Sequence, residues 1–408
     1  MKVPSYCVSL LLGLMTTGRL LAVEVEKVEH LTPPLITTAT IDQKIACTRP
    51  MREGKFNISA EEKEGKLLVH CYGHGGSGCT TSWGSVLQAI EKFEELQAQK
   101  PNKTAGPLRV LGVGIIGLTA AIELTRKGYQ VAGITASELY EIPSWKNAGY
   151  FALVSVKTDP VEQANLDNIG LCTFLEYKKI SEGKHPYITA ECARLLPVYC
   201  SEDTESGVED LEKNGFIPQR EYVTLDFGNG VTHPHFVKYI TYFMDTTRIM
   251  LQLRAEVDRL KIPVEEKEIT AFDQVSEEIV FNCTGLGAKD LNNDDQMIAV
   301  RGHLVNLNSE SGIEHMNYMI YTKVKELDGS YATVYMFPKC LQVNEYDTHG
   351  RAIYGTLGGT FIPHTDSLTE GQLRKLDKVE YKKLLDRNCL FFWGKPYEPT
   401  KLNTITVQ

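Results

Sequence analysis

The sequence predicts an α/β fold, in which a Rossmann-like, dinucleotide-binding domain is interleaved with an α+β domain that carries a mixed or antiparallel sheet. Two glycine-rich turns predict the first domain, because each lies between an apolar strand and an amphipathic helix, in residues 70–93 and 109–131. Short strand-like runs between residues 299 and 359 predict the second domain.

The second of these turns has the spacing of the dinucleotide fingerprint. Gly112, Gly114 and Gly117 follow the strand-like run LRVLGV, and Ile115 and Ile116 open a helix. In this motif the first glycine allows a tight turn, the second lets the backbone approach a pyrophosphate, and the third lets helix and strand pack closely. The helix N-terminus favours negative charge. The alternative is a turn that serves packing alone.

The first turn, in HCYGHGGSGCT, is as rich in glycine and precedes a second amphipathic helix. Glycine contributes no side chain to a core and costs backbone entropy, so its repetition is expected where backbone meets a ligand. The helix behind it directs its N-terminus towards negative charge, such as the edge of a reduced flavin. A plain glycine-rich hairpin is the alternative.

An acidic residue that binds the ribose is expected at the end of the strand after the fingerprint. Thr135, Ala136 and Ser137 occupy that region, and Glu138 comes slightly later. Either Glu138 binds the ribose from a shifted register, or a hydroxyl replaces the acid.

The remaining elements follow from local patterns. Strands are predicted for KLLVHC, YQVAGITA, EIVFNCTG, AVRGHLVNLN, YATVYMFP and AIYGTLGG. Residues 233–257 are predicted as one long helix, and residues 368–387 as a late amphipathic helix. The turn at Thr284 and Gly285 is expected to bring a hydroxyl and an amide to the same cofactor.

Composition excludes some classes of function. The chain has 408 residues, a formal net charge of −9 and no basic block, so nucleic-acid binding is not expected. Residues 1–22 are typical of a secretory signal peptide, with Lys2 before a short apolar run, and an apolar N-terminal strand is the alternative. No later segment is long enough to span a membrane. We therefore expect a secreted protein, with a peroxisomal or cytoplasmic one as the alternative.

Several sequence blocks together resemble the D-amino-acid and D-aspartate oxidases, which are FAD enzymes of the wider glycine and sarcosine oxidase group. The blocks span residues 33–387 and read TRPMR, HCYGHGGSGCTTSWG, GVGIIGLTAAIEL, NAGYFALVS, VFNCTGLGA, VRGHLVNL, YATVYMFP and TLGG. The resemblance implies FAD as the cofactor, a D-amino acid and dioxygen as substrates, and a homodimer as one form of assembly.

The order of the blocks differs from that of the family. The family begins with the fingerprint and ends with the blocks that stand here at residues 48–52 and 70–84. Each block occurs once, which is the pattern of a circular permutation, with AQKPNKTAGP joining the family's old ends. The alternative is a misassembled gene that fuses two tandem copies.

The resemblance also implies roles for single residues. Arg49 corresponds to the arginine that pairs with the substrate carboxylate, Tyr335 to a tyrosine that binds the same carboxylate, Tyr331 to the tyrosine of a lid, and Gly76 to the glycine whose carbonyl accepts from the substrate amine. The cofactor-binding residues predicted from the motifs and the resemblance together are Gly75, Gly78, Thr80, Gly112, Gly114, Ile115, Ile116, Gly117, Glu138, Ser144, Ala148, Gly149, Tyr150, Thr284 and Gly285.

In the family, a hydride passes from the substrate Cα to flavin N5, and the products are a 2-oxo acid, ammonia and hydrogen peroxide. The aspartate-specific members carry a histidine near the position of Val154, and its absence here favours a neutral D-amino acid, although Lys157 or Arg220 can compensate. A non-catalytic relic that acts as a binding protein is the alternative function.

Domain boundaries are expected as follows: signal peptide 1–22, FAD-binding 23–153, mostly substrate domain 154–235, FAD-binding 236–290, substrate domain 291–350, and a return to the FAD-binding domain with the late helix in 351–408.

Overall fold

The computed structural model describes residues 27–99, 106–140, 142–146, 149–153, 160–326, 329–338 and 355–399. Within these ranges the strands are β1 (Lys27–His30), β2 (Ile41–Arg52), β3 (Asn57–Lys63), β4 (Lys66–Tyr72), β5 (Leu108–Leu111), β6 (Val131–Ala136), β7 (Gly149–Tyr150), β8 (Ala193–Ser201), β9 (Glu221–Asp226), β10 (Thr232–Met244), β11 (Val264–Glu266), β12 (Ile279–Asn282), β13 (Met297–Leu307), β14 (Met319–Lys325), β15 (Tyr331–Pro338) and β16 (Gly355–Gly358). The helices are α1 (Gly78–Ala98), α2 (Ile115–Arg126), α3 (Pro143–Lys146), α4 (Pro160–Ser181), α5 (Glu209–Lys213), α6 (Thr246–Arg259), α7 (Ala288–Leu291) and α8 (Glu370–Trp393).

The smaller sheet has the strand order β11-β6-β5-β12-β4-β3. All neighbours are parallel except β3 and β4, which form an antiparallel pair. From β5 the chain continues outwards to β6 and β11, then returns to place β12 between β5 and β4. The gap between β5 and β12 is thus a topological switch point, where open α/β sheets bind ligands at the carboxyl ends of their strands.

The larger sheet has the order β1-β9-β10-β8-β14-β15-β16-β13-β2, and β7 pairs with β10. Its longest ladder joins β2 to β13 in an antiparallel pair, with Arg49 opposite Val300. The prediction of an α/β fold with a mixed or antiparallel second sheet is confirmed. The domain boundaries stay a prediction. The larger sheet contains both β2, which lies in the range 23–153 predicted as FAD-binding, and β10, which crosses the predicted boundary between residues 235 and 236.

The main core lies between the smaller sheet and helices α1 and α2. Trp83, Ile90 and Phe93 of α1 are fully or almost fully buried, as are Val110 of β5 and Ile122 of α2. Their spacing along α1 places them on one face, which the sheet and α2 cover. The glycine turns at the starts of α1 and α2 are therefore held by a rigid support.

The prediction of one long helix over residues 233–257 is wrong. Residues 232–244 form β10, paired on both sides with β8 and β9, and only Thr246–Arg259 is helical. The segment is rich in β-branched and aromatic residues, which pack well on a pleated sheet, and the two flanking strands decide its conformation. Asp245 then starts α6, because its carboxylate accepts a hydrogen bond from the Arg248 amide at 3.2 Å.

None of the described helices is both long enough and apolar enough to cross a membrane.

Candidate active site

A cavity of about 410 Å³ lies at the carboxyl ends of β4, β5, β6 and β12, at the switch point of the smaller sheet. Another cavity, of about 310 Å³ between β3, α1 and α4, is lined by none of the predicted site residues. The predicted residues that line the first cavity are Gly75, Gly76, Gly78, Gly112, Gly114, Ile115, Ile116, Glu138, Ser144, Thr284 and Gly285.

The turn after β5 requires glycine for steric reasons. Gly112 has φ +103°, and a Cβ there would overlap the carbonyl oxygen of Cys283. A Cβ at Gly117 would overlap the carbonyl oxygen of Gly112. Gly117 therefore serves the close packing of α2 on the turn, and it does not line the cavity.

The turn after β4 is held against β2. The Gly75 amide donates to the carbonyl of Pro50 at 2.8 Å. Gly76 has φ +107°, and a Cβ there would lie 3.1 Å from Cδ of Arg49. The turn thus joins the cavity to the arginine predicted to bind the substrate carboxylate.

Neither N-cap residue at the cavity, Ser77 of α1 or Gly114 of α2, caps its helix through its own side chain, and neither first turn carries an acidic residue. Their backbone N–H groups and dipoles favour a negatively charged ligand. At α2 the Ile115 amide donates to the Ser144 hydroxyl at 3.2 Å, which brings Ser144 against the turn.

Arg49 lies on β2 with its guanidinium against Gly302 of β13, where a Cβ would meet its nitrogen atoms. Its Nη1 donates to the carbonyl of Thr360 at 3.0 Å. Tyr335 lies close to Arg49. Burial raises the pKa of the Tyr335 hydroxyl to about 12, and the nearby charge of Arg49 opposes this rise. The structure therefore brings together Arg49, Tyr335 and Gly76, and the roles assigned to them stay predictions.

Tyr335 has a fixed orientation. Its ring stacks on Phe337, with centroids 4.8 Å apart and an interplanar angle of 16°. A Cβ at Gly358 of the neighbouring strand would overlap the Tyr335 ring. Glycine at that position therefore makes room for the tyrosine.

Sequence reasoning missed Tyr321, which lies on β14 directly opposite Tyr335. Burial raises the pKa of Tyr321 to about 12 and the charge of Arg49 opposes the rise, so the two groups are close. Its ring lies 5.3 Å from that of Tyr150. Only the pairing of β14 with β15 reveals this tyrosine, since no local motif surrounds it.

Several predicted residues lie away from the cavity lining. Tyr331 begins β15, is 61% exposed and pairs with Lys325. The Thr80 hydroxyl donates to the carbonyl of Ser77 inside the first turn of α1. Gly149 and Tyr150 form β7, and Ala148 lies outside the described residues. The roles assigned to them stay predictions.

The comparison with known families settles what kind of protein carries this cavity. The sequence profile of the DAO family, described as FAD dependent oxidoreductase, matches residues 109–392. The chain belongs to this family. The match begins at the fingerprint strand and ends within α8, so Arg49 and the turn after β4 lie upstream of the matched segment.

Among curated proteins, a D-amino-acid oxidase of Dictyostelium discoideum is 47% identical over 49 residues, which is 12% of this chain and 14% of that protein. D-aspartate oxidase 2 of Caenorhabditis elegans is 22% identical over 228 residues, which is 53% of this chain and 64% of that protein. The chain thus spans less than two thirds of the curated relatives it matches. Among solved structures, L-proline dehydrogenase from P. horikoshii has a TM-score of 0.40 at 15% identity and covers 68% of this chain and 76% of its own.

The cofactor of the DAO family is FAD, and the cavity fits it. The backbone of Gly75, Gly76 and Gly112 lines the cavity, and the N-termini of α1 and α2 face it. Glu138 lines the cavity two residues beyond β6, where its Oε1 accepts from the Tyr140 amide at 2.8 Å. Its role at the ribose stays a prediction.

Other cavity residues have no motif of their own. His74 is buried, its Nε2 lies 3.1 Å from the Ser85 hydroxyl, and burial lowers its pKa to about 3. Cys71 lies near the end of β4 and Cys283 directly follows the neighbouring β12, and burial raises the pKa of both thiols. Both cysteines stand beside quoted motif residues, which is the signal that could have found them.

Proposed function

We propose that this protein oxidatively deaminates D-amino acids to 2-oxo acids, with release of ammonia and hydrogen peroxide. The observation that carries this proposal is the position of Arg49, whose side chain packs on Gly76 at the end of the FAD cavity and lies beside Tyr335. A guanidinium with a neighbouring hydroxyl suits a planar carboxylate.

The residues of the chain act by positioning the substrate. Arg49 and Tyr335 bind its carboxylate, and the carbonyl of Gly76 accepts from its amine. Two fixed substituents leave one face of Cα towards the cofactor, so a single enantiomer is productive. When bound, FAD supplies the two-electron acceptor, and dioxygen takes the electrons on as hydrogen peroxide. Loss of a hydride from Cα of a substrate whose amine is uncharged leaves an iminium ion, so this step needs no side-chain base. Water then hydrolyses the iminium ion to the 2-oxo acid and ammonium.

We propose a neutral side chain for the preferred substrate. Arg220, the candidate partner for an acidic substrate side chain, is bound to Glu212: its Nε lies 3.0 and 2.8 Å from the two carboxylate oxygens. Val154 and Lys157 lie outside the described residues. The missing histidine near Val154 remains the argument against D-aspartate.

The test is peroxide release from purified, flavin-loaded protein with matched enantiomers. We expect turnover of D-alanine or D-methionine above that of D-aspartate, and none with the L-enantiomers. Equal rates with both enantiomers would contradict the positioning argument, and a preference for D-aspartate would contradict the argument from Val154. Absence of flavin absorbance in the purified protein would favour the non-catalytic relic.

We further propose that the order of the sequence blocks is a circular permutation. Two contacts support this proposal. Trp393 Nε1 donates to the carbonyl of Pro34 at 2.9 Å, and the Thr38 and Tyr397 hydroxyls lie 3.2 Å apart, so the two ends of the described chain are neighbours. The turns after β4 and β5, separated by the linker at residues 98–107, line one cavity.

Export of the protein is also a proposal, since residues 1–22 lie outside the described residues. N-terminal sequencing of protein from a secreting host tests it. We expect cleavage after Ala22, and an intact N-terminus retained inside the cell would contradict it.

A further inference from the structure

A chain of hydrogen bonds links Arg49 to helix α8 through a buried histidine. His303 of β13 is fully buried. Its Nδ1 lies 3.0 Å from the Thr360 hydroxyl and its Nε2 lies 2.9 Å from Oδ1 of Asp377 on α8. Arg301 closes the far end, because its Nε and Nη2 donate to both oxygens of Asp377 at 2.6 and 2.7 Å.

The donors and acceptors in this chain fix where the protons lie. The Thr360 hydroxyl accepts from the His303 backbone N–H at 2.7 Å. Its single proton is then free to point at Nδ1 of His303, which accepts it. The ring proton is therefore on Nε2 and is donated to Asp377. Burial lowers the pKa of His303, although Asp377 opposes this, which favours the neutral ring.

Thr360 carries the link to the site. Its carbonyl oxygen accepts from Nη1 of Arg49 at 3.0 Å, while its hydroxyl is held by His303. The segment that follows is fastened to β13 as well, since the amides and carbonyls of Arg301 and Ile362 exchange hydrogen bonds at 2.8 and 3.0 Å. The backbone around Thr360 is thus fixed by its contacts with β13, in addition to the hydrogen bond from Arg49.

We propose that His303, held by Asp377 of α8, is a positioning residue that fixes the carbonyl of Thr360 and through it the orientation of the Arg49 guanidinium. The proposal rests on the proposed function only in that Arg49 binds the substrate carboxylate. A free arginine side chain has high conformational entropy, which is lost when the substrate binds. Because the Thr360 carbonyl already holds the Arg49 guanidinium, less entropy is lost on binding.

Two variants of His303 separate its two contacts. An asparagine amide reaches the position of Nδ1 and retains the contact with Thr360, whereas a glutamine amide reaches that of Nε2 and retains the contact with Asp377. We expect His303→Gln to weaken carboxylate binding and raise KM by about threefold to tenfold, the effect of one lost hydrogen bond, with kcat little changed. We expect His303→Asn to lie closer to the wild-type protein.

The readout is the shift in flavin absorbance on titration with acetate, alongside KM, kcat and flavin per chain. Thr360→Val provides an independent variant, since it removes the hydroxyl and keeps the shape of the side chain. Thr356→Val is its matched control, because Thr356 is also buried and, among the described residues, its hydroxyl contacts only the Leu357 carbonyl, at 3.4 Å. Thr360→Val is expected to weaken acetate binding, and Thr356→Val to leave it unchanged.

Wild-type acetate affinity in both His303→Gln and Thr360→Val would overturn the proposal, as would a larger loss in His303→Asn than in His303→Gln. Unchanged acetate binding in Arg49→Leu would overturn it too, since Arg49 would not hold the carboxylate. If acetate binds through Arg49 but no D-amino acid releases peroxide, the proposed function fails while the positioning role of His303 stands.

Discussion

At the scale of single residues, two glycines leave the space that the Arg49 and Tyr335 side chains occupy. Gly302 gives the Arg49 guanidinium its place on β13, and Gly358 does the same for the Tyr335 ring on β16. A side chain at either position would displace the group that the proposed function needs. Small residues on β13 and β16 therefore contribute to the site without contacting the substrate.

Arg49→Leu tests the most important of these residues. Removing one partner of a buried charge pair costs about 3–5 kcal/mol, which corresponds to a loss of about a hundredfold or more in kcat/KM for a D-amino acid. Flavin per chain is expected to stay normal, because Arg49 does not line the cofactor cavity. The control is Arg374→Leu on the exposed face of α8, and unchanged kinetics in Arg49→Leu would remove Arg49 from the site.

The buried side chain of His74 predicts that the folded protein loses stability in mild acid. Burial lowers the pKa of His74 to about 3 from its ordinary value of 6.5, so the folded protein keeps the ring neutral while the unfolded chain gains a proton as the pH falls below 6.5. Stability is therefore fully present above pH 6.5 and declines towards pH 3, by about 1.4 kcal/mol per pH unit for this one proton.

The measurement is the free energy of unfolding in urea at pH 7 and pH 5. His74→Gln is expected to lose about 2 kcal/mol less than the wild-type protein over this interval. His364→Gln, at a side chain that is 62% exposed, serves as the control. Equal pH dependence in His74→Gln and the wild-type protein would mean that His74 gains its proton in the folded state too.

At the scale of elements, the cavity is formed by turns that touch one another across the sheet. The Gly112 amide donates to the Thr135 carbonyl at 2.8 Å, and the Cys283 amide donates to the Leu111 carbonyl at 2.8 Å. The Thr284 hydroxyl donates to Oδ1 of Asn282 at 2.7 Å, which holds the turn after β12. Each turn thus depends on its neighbours for its shape.

Gly112→Ala tests this dependence. Both Gly112 and Gly128 have positive φ, at +103° and +95°, but a Cβ at Gly128 meets nothing within 4 Å, whereas one at Gly112 overlaps the Cys283 carbonyl. We expect Gly112→Ala to be less stable than Gly128→Ala by about 1–3 kcal/mol, the usual cost of overpacking, and to lose most of its flavin. Equal flavin content and unfolding free energy in the two variants would contradict the argument.

At the scale of the whole molecule, the two ends of the described part of the chain lie close together. Trp393 at the end of α8 contacts Pro34, and the linker between α1 and β5 begins at the far end of α1 from the cavity. A closing segment of about ten residues costs little entropy, because the cost grows only with the logarithm of its length. In the proposed permutation, these are the two places where one covalent connection is exchanged for another.

The matching prediction is that a rearranged chain keeps its cofactor. This chain begins at Leu108, continues to Tyr397, passes through a short Gly/Ser linker to Pro33 and ends at Gln99. We expect the same flavin per chain and the same kcat/KM as in the natural order. If the natural order binds flavin and the rearranged chain misfolds, the permutation proposal is wrong; if neither binds flavin, the misassembled gene becomes the better explanation.

The sequence by itself determined the two glycine turns and the strands and helices next to them, because these depend on short-range patterns in which backbone geometry restricts the residue type. Its resemblance to known oxidases implied the FAD cofactor and the family, and the family profile confirms both. It could not determine the conformation of residues 232–244, where the flanking strands β8 and β9 outweigh local preference. Tyr321 and His303 were missed for a related reason. Their importance comes from neighbours far away in sequence, Tyr335 across a ladder and Asp377 on α8, and such contacts exist only once the sheets and α8 have packed together.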